Sequence, residues 1–275
     1  MKEKPNFKNP DSFCQQIAGD EQLLDKEIVD IKEGKYIGGI STNYQIIFID
    51  GSSAIFKPKP EKDELDLHRI TPKETYFKRE RAAYLVDHFL GFDLIPLTII
   101  KKVSSKIGSL QKFIPKAVPL FDSSYQQYLP TSNMKFYKLW LLDYLIWNAD
   151  RKRKGNNLLT DPNLKIYAID NSLTFTQDIL SPYTEFKGSG YSVPAEDKEK
   201  INQLAQSIDK RNKLTKLLKE LLSSKEIKAL FYRLDHLVEI FKNRDFLNKE
   251  DLFYGEECEE KDMRRPDTYG WFPFP

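Results

Sequence analysis

Cysteine and histidine are almost missing from this chain: two cysteines, Cys14 and Cys258, and three histidines, His68, His88 and His236, in 275 residues. The cysteines lie near opposite ends without metal-ligand spacing, so a reducing cytoplasm is the expected setting, with a disulfide between the two left open. The histidines are isolated, and His236 sits among apolar neighbours, which argues against a histidine metal site. Charge of one sign is lacking too. Lys and Arg number 43 against 41 Asp and Glu, and the resulting +2 is too weak a field to draw in nucleic acid, so no such partner is expected. Long apolar runs are absent: the most apolar stretch, LWLLDYLIW at residues 139–147, is far short of the roughly 20 residues that cross a bilayer and contains Asp143, so it reads as a core helix and no membrane span is expected. The opening MKEKPNFKNPDSF carries charges and prolines where a signal peptide needs an apolar centre. No internal repeat, coiled coil or long low-complexity tract is visible. A composition of 40% hydrophobic and 31% charged residues is that of a soluble globular protein, large enough for one big domain or two joined lobes.

What is present concentrates in residues 143–175, DYLIWNADRKRKGNNLLTDPNLKIYAIDNSLTF. An apolar helical run over 136–147 ends in Asn148, Ala149 and Asp150, and four cationic residues, 151–154, lead to Gly155, Asn156 and Asn157. Leu158 and Leu159 read as a short strand, Asp161, Pro162 and Asn163 as a reversing turn, and 164–169 as a mostly buried return strand. That hairpin delivers Asp170 beside Asn157. Phosphoryl transfer uses such a set: one Asp orients the acceptor hydroxyl and takes its proton, while an Asn and a second Asp hold metal ions against nucleotide phosphates. Asp150 is the candidate catalytic carboxylate, with Asn157 and Asp170 as candidate metal ligands. Any one of these residues alone is an ordinary cap or turn former; together, between a helix and two strands, they point to chemistry.

The first half supplies the complementary charges. Residues 36–60, YIGGISTNYQIIFIDGSSAIFKPKP, read as two β-rich runs joined by a turn at Asp50 and Gly51. Gly38, Gly39, Ser41, Thr42 and Asn43 are small residues whose backbone can approach a phosphate, a weak motif that also fits a plain bulge or turn. Lys57 ends an apolar strand and can project a point charge toward phosphates; Lys59, between two prolines at the strand exit, is the less favoured competitor. A lysine in that place needs an acidic brace. Residues 74–90, ETYFKRERAAYLVDHFL, form a helix with an apolar stripe through Ala82, Ala83, Val86, Phe89 and Leu90, stopped by Gly91, and Glu80 shares a face with Ala83, Tyr84 and Asp87. Glu80 is therefore the preferred partner of Lys57, although a neighbouring Arg could also claim it. Residues 93–100 and 108–114 read as two further strands, and the exposed backbone at their exit makes residues 111–114, with Gln111, Phe113 and Ile114, candidates for an adenine contact.

With these residues in order, the chain resembles the phosphatidylinositol 3- and 4-kinase-like superfamily, in particular its small prokaryotic members and the type II phosphatidylinositol 4-kinases, with HipA-like kinases as relatives. The likeness rests on FKPK at 56–59, RERAAYLVDHFLGFDLIPLT at 79–98, GSLQKFI at 108–114, and DYLIWNADR with IDNSLTF within 143–175. It implies an α+β, two-lobe protein-kinase-like fold, with a β-rich nucleotide-holding lobe over 1–115 and a mainly helical lobe over 116–275 carrying the catalytic loop and metal site. It implies Lys57 on the phosphates, Glu80 bracing it, Asp150 catalytic, Asn157 and Asp170 on the metal, and residues 111–114 against adenine. The cofactors implied are ATP and Mg2+, or Mn2+ in its place.

Three departures qualify the likeness. Asp150 and Asn157 are seven positions apart where kinase catalytic loops commonly have five, which keeps Asn156 as a rival ligand. Ser172 stands where many relatives have Gly. Residues 176–196 contain Lys187 as their only basic residue, a poor match to the cationic cluster an inositol phospholipid requires. Ser181, Thr184, Ser189 and Ser192 in that segment are candidate autophosphorylation sites in a serine-rich loop. The expected acceptor is thus a hydroxyl on protein Ser/Thr or on a small molecule, with a phosphoinositide as the first rival and a nucleotide-binding pseudokinase or regulatory protein as the second. Residues 196–247 hold amphipathic helices that pack a helical lobe. The tail from 251, with Trp271, Phe272 and Phe274, packs back or meets a partner, and neither it nor the oligomeric state is decided by the sequence.

Overall fold

The computed structural model describes residues 16–34, 43–60, 72–120, 136–151, 157–177, 191–244 and 246–247. Five strands, β1 (Ile28–Gly34), β2 (Asn43–Phe48), β3 (Ser53–Pro58), β4 (Thr98–Val103) and β5 (Lys106–Lys112), form an antiparallel sheet in the order β1-β2-β3-β5-β4. Alternation in β2 and β3 buries Ile46, Phe48, Ala54 and Phe56, which join Ile99, Val103 and Leu110 from β4 and β5 and Leu23 from the short helix α1 (Glu21–Leu24) in one apolar cluster. Lys57 consequently faces away from Phe56 and that cluster. The β2–β3 turn is secured by Asp50, whose Oδ1 accepts from the Ser52 N–H at 3.0 Å, and by Gly51 at φ 77°.

Helix α2 (Tyr76–Leu90) follows a short 3-10 turn, Lys73–Thr75, and stops at Gly91, whose left-handed φ of 64° turns its N–H back to the carbonyls of Asp87 and His88. The expected apolar stripe understates this helix: eleven of its fifteen residues are buried, including Arg79, Glu80, Arg81 and Asp87. It lies against β4 and β5 and against the helical core built by α3 (Tyr137–Ile146), α4 (Ala195–Gln206), α5 (Ile208–Leu218) and α6 (Ser224–Asn243). A small sheet, β6 (Val118–Pro119), β7 (Leu158–Thr160) and β8 (Ile166–Ala168), sits at the end of α3, and β9 (Tyr191–Ser192) pairs with β10 (Phe246–Leu247). The α6 N-terminus carries a full capping box between Ser223 and Glu226. Among the described residues no helix is long and apolar enough to cross a membrane.

Two strand expectations change. The strand expected over 93–100 begins at Thr98, because the N–H groups of Leu94 and Ile95 donate to the buried Asp87 carboxylate at 2.9 Å each instead of to a ladder, and Pro96 has no N–H to give. The strand expected over 108–114 occupies Lys106–Lys112. Strand β1 was outside the expectation altogether: as a charged edge strand, exposed along most of its length, it lacks the apolar alternation that signals a strand. Gly38 and Gly39, Cys14 and Cys258, His68, and the tail with Trp271, Phe272 and Phe274 lie outside the described residues.

Burial pushes the Asp87 carboxyl up to about 7 against the pull of its two backbone donors, and its Oδ1 has no hydrogen-bond partner among the described residues. Asp93 adds to the rise and Lys165 opposes it. Since the folded value exceeds the unfolded one, the contribution to stability is complete below about pH 4 and is lost as pH rises through about 7. Melting temperatures measured from pH 4 to 8 are expected to fall less steeply for Asp87→Asn than for the wild-type chain; parallel curves would contradict this.

Candidate active site

Strand β3, helix α2 and the residue pair after β8 meet at one cation. Lys57 Nζ donates to Glu80 Oε1 at 2.6 Å and to Asp170 Oδ1 at 3.1 Å, across sequence separations of 23 and 113 residues. The second oxygen of Glu80 accepts from the Asn171 N–H at 3.1 Å. Exposure grades across the group: the Glu80 side chain is 2% exposed, Lys57 23% and Asp170 37%. Burial pulls the Lys57 ammonium down, but Asp170 and Glu80 together hold it above its ordinary value, while Lys57 holds the Asp170 carboxyl below the usual carboxylate range. Lys57 and Asp170 are thus both ionised at neutral pH.

The position of Lys57 depends on a neighbour without a side chain. Gly108 in β5 pairs with Pro58, and a Cβ there would come within 2.2 Å of the Lys57 carbonyl oxygen and 2.7 Å of Pro58 Cα. Only glycine permits this approach. Lys59, the competitor, instead gives its N–H to Ile107 at the strand exit and is exposed.

A second polar group stands at the mouth of the small sheet. Helix α3 ends at Trp147 with φ 54°, and Asn148 then caps the next turn by accepting from the Asp150 N–H at 2.9 Å. Asn157 Nδ2 donates to Asp150 Oδ2 at 3.2 Å and to the Asp150 carbonyl at 3.3 Å. The β7–β8 register sets Leu158 opposite Ala168, and the Ile169 N–H donates to the Asn157 carbonyl at 3.0 Å. Asp170 therefore emerges next to Asn157, as the hairpin pattern predicts. Its φ of 54° is left-handed, an unusual backbone for a residue with a side chain. The Ser172 hydroxyl donates to Asp170 Oδ1 at 3.2 Å, the same oxygen that Lys57 holds.

Arg151 ties these pieces together, and sequence reasoning missed it. Its guanidinium donates to Asp143 through Nε at 3.0 Å and Nη2 at 3.1 Å, to the carbonyls of Asn157 and Ile169 through Nη1 at 2.9 Å each, and to Asn171 Oδ1 at 2.6 Å. Burial pushes the Asp143 carboxyl up and Arg151 opposes it. The available signal was Asp143 itself, an acid interrupting the most apolar run of the chain, which in an interior requires a cation.

The candidate adenine residues have internal commitments. Gln111 is buried and donates through Nε2 to Thr98 Oγ1 at 2.9 Å; the Phe113 N–H donates to the Ser53 carbonyl at 3.1 Å; the Ile114 carbonyl accepts from the Ala117 N–H at 3.3 Å. Asn43 begins β2, buried, with its Oδ1 lacking a partner among the described residues. Ser41, Thr42, Asn156, Ser181, Thr184, Lys187 and Ser189 lie outside the described residues. Among the described residues no cluster of three or more His, Cys, Asp or Glu forms a self-sufficient metal cage. A carboxylate and an amide oxygen suit a hard divalent ion that takes its remaining ligands from phosphate and water, so the donor set of Asp170 and Asn157 fits Mg2+ or Mn2+.

This architecture, a five-stranded sheet and a braced helix set against a helical core, is a two-lobe kinase-like fold. It superposes on the Helicobacter pylori proinflammatory kinase CtkA with a TM-score of 0.51 and 14% identity, covering 78% of this chain and 92% of that one. The golgi casein kinase gives a TM-score of 0.52 and 16% identity over 88% of this chain and 82% of that one. The Golgi casein kinase with Mn/ADP bound gives 0.50 and 17% over 82% and 77%. Protein Rv2133c of Mycobacterium tuberculosis (strain ATCC 25618 / H37Rv) is 29% identical over 134 residues, a match covering 37% of this chain and 48% of that protein, so about half of that relative's length is matched. No family model matches the chain.

Replacing Arg151 by Met should leave Asp143 buried and uncompensated, lowering stability by about 3–5 kcal/mol. Arg151→Met combined with Asp143→Leu is expected to recover much of that loss in chemical denaturation; a double variant no more stable than Arg151→Met alone would show that the pair is not the source.

Proposed function

We propose that the chain is an ATP- and divalent-metal-dependent phosphotransferase, an atypical kinase that transfers the γ-phosphate to a hydroxyl, with protein Ser/Thr as acceptor. The observation that carries this reading is the meeting of Lys57 with Glu80 and Asp170 beside an Asp150 that Asn157 holds by a 3.2 Å hydrogen bond. In this reading residues 1–115 hold the nucleotide, with Ser41, Thr42 and Asn43 near the phosphates and Gln111, Phe113 and Ile114 near adenine. Residues 116–275 carry the catalytic loop and the metal ligands.

The division of labour follows from charge. Glu80 keeps the Lys57 ammonium in place, and that ammonium offsets the negative charge of the phosphates. A bound Mg2+ or Mn2+ would supply the rest of the positive charge from Asp170 and Asn157. Asp150 orients the acceptor hydroxyl and accepts its proton as the hydroxyl oxygen bonds to the γ-phosphorus and the bond to the ADP oxygen breaks. Asn157 fixes the Asp150 carboxylate so that its lone pairs are presented in one direction. The Golgi casein kinase structure with Mn/ADP bound supports the choice of nucleotide and metal. The motifs in residues 56–175 support a place near the small prokaryotic members and type II phosphatidylinositol 4-kinases of the phosphatidylinositol 3- and 4-kinase-like superfamily, with HipA-like kinases as relatives, and the two widely separated cysteines support a cytoplasmic site of action.

Magnesium-dependent ATP turnover or autophosphorylation is expected to fall by about 100-fold or more in Asp150→Ala and in Asp170→Ala. Activity at wild-type level in both variants would reject the assignment, and transfer to vesicle phosphoinositides in preference to protein would move the acceptor from Ser/Thr to lipid.

A further inference from the structure

Helix α2 is held on a second side, by a residue the phosphotransferase reading does not use. Arg79, one position before Glu80, is 2% exposed. Its Nε donates to Thr75 Oγ1 at 3.0 Å; its Nη1 donates to the carbonyls of Thr174 and Phe175; its Nη2 pairs with Glu226 Oε1. The other oxygen of Glu226 accepts from the Ser223 N–H at 2.7 Å, completing the capping box of α6. Phe175 is itself pinned, with φ 57° and its N–H on the Ile146 carbonyl at 2.7 Å. One guanidinium thus joins α2, the stretch that follows Asp170, and the first turn of α6. Neighbouring helical side chains diverge by about 100°, so Arg79 and Glu80 grip different partners from the same turn. Any rotation of α2 that withdrew Glu80 from Lys57 would also strand the Arg79 guanidinium and the Glu226 carboxylate in the interior.

We propose that Arg79 is a positioning residue which, through Glu226 and the carbonyls of Thr174 and Phe175, locks α2 and residues 170–175 in a single register, so that the Lys57–Glu80 pair stands assembled without an activating modification or partner. The consequence for catalysis rests on the phosphotransferase reading; the lock itself does not. A helix whose position depended on an activator would have few interior ties to break, whereas this one is anchored by a buried ion pair and by the carbonyls of the buried residues Thr174 and Phe175.

Hydrogen–deuterium exchange on the full, nucleotide-free chain reads the lock independently of turnover. In Arg79→Gln, exchange is expected to rise about tenfold or more in residues 76–85 and 171–175, while α4 and α5 exchange at wild-type rates. Glu226→Gln, which keeps a residue suited to the capping box, should show the same pattern with α6 intact, and it carries the test if Arg79→Gln fails to fold. Unchanged exchange at 171–175, or a uniform rise throughout the chain, would overturn the lock. A wild-type chain that exchanges as described but transfers no phosphate would refute the phosphotransferase reading and leave the lock standing.

Discussion

A lysine ammonium shared between two carboxylates is the contact on which the rest of this structure converges. Lys57 is bound by Glu80 from the helix and by Asp170 from the loop after β8, and Glu80 passes its second oxygen to the backbone of Asn171. A half-buried charge of this kind survives only if its surroundings hold the counter-charges still. Each element around it does so: β5 approaches without a side chain at Gly108, α2 arrives buried on nearly all sides, and the β7–β8 hairpin sets where Asp170 leaves the sheet.

Helix α2 is the organiser. Its three consecutive buried charged residues reach three different parts of the molecule: Arg79 reaches Glu226 of α6, Glu80 reaches Lys57 of β3, and Arg81 reaches Asp20 before α1, with Nη1 on Asp20 Oδ1 at 2.9 Å. At its far end Asp87 secures the N–H groups of Leu94 and Ile95, and the Leu94 carbonyl accepts from the Ala168 N–H at 2.9 Å, two residues before Asp170. Both ends of the helix therefore bear on the same acid. The apolar contacts place the helix; the buried charges give it one orientation.

Much of this was legible in the chain. Strand alternation separated Lys57 from Phe56, the helical face singled out Glu80, and the Asp161 turn between short apolar runs returned Asp170 to Asn157. These succeed because each follows from a short local period. Partner choice among charges did not follow: in a chain with 31% charged residues, nothing local says that Arg79 belongs to Glu226, 147 positions away, or that Arg151 belongs to Asp143. Strand β1 was illegible for a related reason, since its place is fixed by ladder bonds to β2, with Ile28 as its one contact to the apolar cluster among the described residues.

Gly108 carries a further implication. The residues that would do chemistry here are side chains, yet the site also depends on a close fit between two backbones, where the Lys57 carbonyl leaves no room for a methyl group on the adjoining strand. A library that varied only the polar groups around Lys57 would thus overlook a position that admits no side chain. In a redesigned relative, the spacing of β3 and β5 would have to be copied before any of the ionisable groups were worth transplanting.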